Sequence, residues 1–93
     1  MSKRRVVVTG LGVVSPVGLD LAENWRNITA GNSGIALLDE FDTEPFAVRI
    51  GGAVKGFNVS DYMSPKDARK MDTFIHYGFA AAKQAIDDAG LTA

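Results

Sequence analysis

The 93-residue sequence has no cysteine, one histidine, one tryptophan and three prolines. Without cysteine these residues hold no disulfide, no thiolate metal site and no thiol nucleophile. Charge of one sign is also missing. Ten Lys and Arg stand against eleven Asp and Glu, so there is no polycationic surface for nucleic acid, and any electrostatic recognition must come from a local patch. Long hydrophobic runs are absent. Val6-Val7-Val8, which follows Lys3-Arg4-Arg5, is far shorter than the roughly 7 to 15 apolar residues of a secretory core. Nothing approaches the roughly 18 of a membrane span. A cytoplasmic chain with no membrane partner is expected.

What is present is an ordinary globular composition, with 46% hydrophobic residues, 23% charged and ten glycines, enough for one small domain. Residues 4 to 9 form a β-branched run without polar alternation, the pattern of a strand covered on both faces of a parallel sheet. Asp20 with Glu23 predicts a capped helix start, with Leu21, Trp25 and Ile28 on one face and Gly31 just past the end. Ile35 to Leu38 reads as a short strand or packed loop. Phe46 to Val54 alternates loosely as an edge element, in which Gly51-Gly52 suggests a bulge or a hairpin turn. Val59 to Met63 suits a helical turn. From Ser64-Pro65, an N-cap followed by proline at the first helical position, the helical pattern runs to Ala89 with a break near Asp72, and Gly90 stops it.

The last helix has a wide apolar face containing Phe74, Ile75, Phe79 and Ile86, with Gly78, Ala81, Ala82 and Ala85 as small residues that admit a neighbouring backbone closely. A single buried-type strand cannot make the parallel sheet its own pattern demands. The fold class is therefore α/β, and the 93 residues are expected to be the first part of a larger unit.

The stretch TGLGVVSPVG, Thr9 to Gly18, looks at first like a phosphate-binding glycine turn. A dinucleotide fingerprint needs its helix to begin within the turn. Pro16 and Gly18 fall where that helix would grow, and proline inside a helix costs about 3 kcal/mol. Gly10 and Gly12 are better read as a tight turn that permits positive φ and close packing. Lys66, Arg69 and Lys70 are spaced by three and four, so three cations share one face of a helical turn. On residues alone they read as a solvated face, with docking of an acidic protein or phosphate-bearing group as the sharper alternative. His76, one helical turn after Asp72, reads as a surface histidine on the polar side of its helix, without catalytic or metal partners. Asp87 and Asp88 are expected to face water, and Ser15 has no nucleophile-elbow pattern.

Taken in order, RRVVVTGLGVVSPVG, then Trp25 to Ile35 with AGNSGI, then EFDTEPF, then RKMDTFIHYGFAAAKQAIDDAGL resemble the N-terminal part of the β-ketoacyl-acyl carrier protein synthases. RKMDTFIHYG, Arg69 to Gly78, resembles the elongating synthase II branch of bacterial fatty acid synthesis. The resemblance implies a thiolase-like fold of αβαβα layers, of which residues 1–93 would form an N-terminal segment, with the first strand in the central sheet. It implies a homodimeric acyltransferase that condenses an acyl chain, held on a cysteine, with malonyl-acyl carrier protein. The family's cysteine and both histidines lie beyond this region, and His76 matches neither, so no catalytic residue and no cofactor is expected within these residues. The resemblance also places a carrier-protein docking patch at Lys66, Arg69 and Lys70, which reverses the reading of those cations as merely solvated. The alternatives are a ketosynthase of a polyketide pathway, a partner subunit without the cysteine, or a small module that binds an acidic protein.

Overall fold

The structure, a computed structural model, describes residues 3–91. In chain order it has helix α1 (Leu21–Thr29), strands β1 (Ile35–Leu37) and β2 (Ile50–Gly52), a 3-10 turn (Val59–Asp61), and helices α2 (Pro65–Ala68) and α3 (Thr73–Asp88). The helix ends follow the sequence signals. Asp20 Oδ1 accepts the Glu23 amide at 2.8 Å, and Gly31, at φ +76°, closes α1 with paired bonds from Gly31 N to Ile28 O and from Asn32 N to Asn27 O. Gly90 ends α3 with the same pair, Gly90 N to Asp87 O and Leu91 N to Ile86 O, the arrangement that satisfies the last carbonyls of a helix. Asp72 caps α3, and the helical stretch breaks there as expected.

β1 and β2 pair antiparallel, Ile35 opposite Gly52 and Leu37 opposite Ile50. Gly51 and Gly52 therefore sit in the ladder, as neither a bulge nor a turn. A side chain on Gly52 would meet the Pro16 ring at 2.9 Å, so this position is kept bare by the turn that lies across the sheet.

The strand expected over residues 4 to 9 is not formed. Val6, Val7 and Val8 belong to no strand and are exposed, Val6 at 95%, because no other strand among the described residues lies beside them. Strand propensity is realised only against neighbours. The segment that follows them packs on α3. A Cβ on Gly10 would fall 2.3 Å from the Ala85 carbonyl oxygen, and one on Gly12 1.9 Å from that of Ala81. Neither glycine has positive φ; close approach alone requires them.

Gln84 holds that contact. Its Oε1 accepts the Val13 amide at 3.1 Å, and its Nε2 donates to Leu19 O at 2.7 Å and to the Tyr62 hydroxyl at 3.0 Å. Below it, Phe57 stacks on Tyr62 with centroids 5.8 Å apart and meets Tyr77 edge-on at 5.0 Å. Such pairs contribute about 0.5–1.5 kcal/mol beyond their burial, and these fasten the 3-10 turn to α3.

Burial stops there. Among the described residues only Ala68 and Ala80 are buried hydrophobics, while Trp25, Ile28 and Phe74 are each more than half exposed. The accessible surface is 7369 Å², against about 5,200 Å² for a folded monomer of this mass. The radius of gyration is 17.1 Å, against roughly 12 Å for a compact domain of this length. Among the described residues the apolar faces of α1, α3 and the valine run are largely left uncovered.

Candidate functional site

The glycine turn does not form an anion site. α1 begins at Leu21, beyond the glycines, as the positions of Pro16 and Gly18 require. Ser15 and Gly18 instead close a two-residue turn by exchanging backbone bonds of 2.9 and 3.2 Å. The Ser15 hydroxyl donates to Asn24 Oδ1 and accepts the Val17 amide, so it is occupied in holding the turn. Asn24, 6% exposed, turns its amide to Asp20 O, and Asn27 Nδ2 reaches Val17 O. A hollow lined by Ser15, Gly18, Glu23, Asn27 and Lys55 opens beside the turn. Its one cation is already committed: Lys55 Nζ lies 3.2 Å from Gly34 O, 3.1 Å from Ala53 O and 3.5 Å from Pro16 O. An ammonium has three donors, and here three carbonyls take them.

The basic segment is different. Ser64 Oγ accepts the Asp67 amide at 3.2 Å and Pro65 occupies the first turn, which starts α2 despite its four residues. Lys66 lies in α2 and Arg69 is its C-cap. Lys70 lies in the closing turn, where Lys70 N bonds Asp67 O at 3.1 Å and Met71 N bonds Ala68 O at 3.2 Å. The three cations were expected on one continuous helical face. The helix ends at Ala68 instead, because these i to i+3 bonds tighten the chain into the cap of α3, so Arg69 and Lys70 leave from a turn. All three are exposed. The ion pairs among the described residues are Arg49 with Glu44 and Lys83 with Asp87, so Lys66, Arg69 and Lys70 have no acidic partner. Ser64 to Met71 holds these three cations and one acid, Asp67.

His76 is not the water-facing side chain expected. It is half-buried, and its Nε2 lies 2.9 Å from Ala68 O, the last carbonyl of α2. A carbonyl only accepts, so Nε2 carries the hydrogen. Asp87 and Asp88 are both exposed as expected; Asp87 pairs with Lys83 at 2.8 Å, and Asp88 Oδ2 also accepts the Leu11 amide at 3.0 Å. Sequence reasoning missed Gln84, Lys55 and Asn24 as organising residues. On the α3 wheel Gln84 falls on the polar side, beside the small-residue face, so its spacing gave no signal.

Among the described residues no cluster of His, Asp and Glu is placed to hold a metal ion, and no helix is long and apolar enough to cross a membrane. The profile of the β-ketoacyl synthase N-terminal domain matches residues 3–93. The chain belongs to the β-ketoacyl synthase family. It is 57% identical over 91 residues to a 3-oxoacyl-[acyl-carrier-protein] synthase 2 of Vibrio cholerae serotype O1, covering 98% of this chain and 22% of that protein. A protein of the same name from Staphylococcus aureus (strain COL) is 43% identical over 88 residues, 95% of this chain and 21% of its own. Among solved structures, the ishigamide ketosynthase/chain length factor superposes with a TM-score of 0.84 at 39% identity, over 98% of this chain and 23% of that one. The chain thus spans about a fifth of the length of the ketosynthases it matches, and its fold class is thiolase-like α/β.

Proposed function

We propose that this chain works as the N-terminal part of a β-ketoacyl-acyl carrier protein synthase of the synthase II kind, a homodimeric cytoplasmic enzyme of fatty acid synthesis. The observation that carries this reading is the 57% identity over 91 residues to a 3-oxoacyl-[acyl-carrier-protein] synthase 2. In the proposed reaction an acyl group is held as a thioester on a cysteine outside these residues. Malonyl-carrier protein loses carbon dioxide, and the resulting carbanion attacks the acyl carbonyl. The cysteine thiolate leaves, and the chain is two carbons longer.

This segment's share is scaffold and recognition. Lys66, Arg69 and Lys70 form the docking face for the acidic acyl carrier protein. The reading is supported by three exposed cations without acidic partners among the described residues, on a turn closed by Lys70 N to Asp67 O and Met71 N to Ala68 O. Cations in that state lose no internal ion pair when an acidic partner arrives, and they steer its approach.

Charge reversal tests it. In the full-length enzyme, Arg69→Glu with Lys70→Glu raises KM for carrier-bound substrates roughly tenfold and leaves turnover of small thioester mimics nearly intact. Equal loss for both substrates refutes docking. The scaffold reading has its own test: the isolated 93 residues fail to unfold as a cooperative monomer, whereas a self-sufficient binding module would melt sharply.

A further inference from the structure

α2 is four residues long, far below the length at which a helix sustains itself. Its presentation of Lys66, Arg69 and Lys70 must therefore be set from outside. The 3-10 turn before α2 is anchored through Tyr62, by its hydroxyl on Gln84 and its ring on Phe57. At the other end the tie is Ala68. Its carbonyl, in a residue 7% exposed, lies in sequence between Lys66 and the Arg69-Lys70 pair. It takes two bonds, from Met71 N at 3.2 Å and from His76 Nε2 at 2.9 Å. The first only closes the local turn. The second is the one side-chain hydrogen bond among the described residues that joins α2 to α3.

We propose that His76 is a positioning residue for carrier recognition: by holding the Ala68 carbonyl it fixes the angle at which Lys66, Arg69 and Lys70 leave the surface. The inference rests on the docking reading above. It assigns His76 no contact with carrier or substrate, and it asks only for an N–H at the distance of Nε2. Glutamine supplies that, since its terminal amide nitrogen reaches about as far as Nε2 of histidine. Asparagine, one methylene shorter, reaches only as far as Nδ1 and leaves the carbonyl with the Met71 bond alone.

The full-length enzyme is assayed with malonyl-carrier protein and with a small malonyl thioester, as wild type, His76→Asn, His76→Gln and the Arg69→Glu, Lys70→Glu pair. His76→Asn is expected to raise KM for the carrier substrate roughly three- to tenfold, the scale of one hydrogen bond. Its kcat and its turnover of the small thioester stay unchanged, and His76→Gln stays at the wild-type KM. Should charge reversal raise the carrier KM while His76→Asn leaves it alone, positioning is overturned and docking stands. Should charge reversal have no effect, docking falls and this inference with it. Parallel loss on both substrates in His76→Asn, or a KM in His76→Gln as poor as in His76→Asn, also overturns it, since either marks a general role in packing.

Discussion

The carbonyl oxygen of Ala81 occupies the space where a side chain on Gly12 would begin, 1.9 Å from an ideal Cβ. Backbone meets backbone there, so neither side can yield by changing a rotamer. Gly12→Ala is therefore expected to destabilise the full-length enzyme by about 3 kcal/mol or more, at or above the usual cost of overpacking. Chemical denaturation measures it. A loss below about 1 kcal/mol would mean that the Thr9 to Val14 segment does not lie on α3 as described.

Gln84 joins Val13, Leu19 and Tyr62, groups from three separate segments. Gln84→Leu keeps most of the volume and strands a backbone amide, a carbonyl and a hydroxyl, each worth about 1–3 kcal/mol if buried and unpaired. Tyr62→Phe removes only the last of these and is expected to cost about 1 kcal/mol. A double-mutant cycle between the two positions should give a coupling above about 0.5 kcal/mol. Strict additivity would separate Tyr62 from the network.

These two sites mark how far the sequence could be read. Asp20, Gly31, Ser64-Pro65, Asp72 and Gly90 act through their own neighbours, and each sets a helix boundary where the local signal puts it. The wide small-residue face of α3 correctly announced close backbone packing, although the partner turned out to be the Gly10 to Gly12 segment. The directions of His76 and Gln84 were not legible. Each bonds a backbone group brought in by another segment, and a helical wheel assigns such side chains to water. The valine run failed for the opposite reason: its pattern describes neighbours that the described residues do not supply. The cations at Lys66, Arg69 and Lys70 were found by spacing, but their significance came from family resemblance.

If these cations steer an acidic carrier protein, salt should weaken recognition without touching chemistry. The Debye length falls from about 10 Å at 0.1 M to about 3 Å at 1 M salt. KM for carrier-bound substrate is therefore expected to rise with ionic strength in the wild-type enzyme and to rise much less in the Arg69→Glu, Lys70→Glu protein. KM for a small thioester should stay level in both. Matching salt curves for the two proteins would place the electrostatic contribution somewhere other than this turn.

The valine run offers the sharpest contrast between this segment alone and the same residues in a whole enzyme. Val6, Val7 and Val8 are exposed at 95, 68 and 78%, yet β-branched side chains pointing to both sides suit a strand covered on both faces. With neighbouring strands in place, their amides would enter a ladder and exchange only through large opening motions. Amide hydrogen exchange of the full-length enzyme should show these three protected by roughly a thousandfold or more, as central strands are. The isolated 93 residues should exchange them near the unprotected rate. Fast exchange in both would mean that the run is not a sheet strand. Slow exchange in both would mean that the segment finds a partner for it, through self-association of the edge it leaves open.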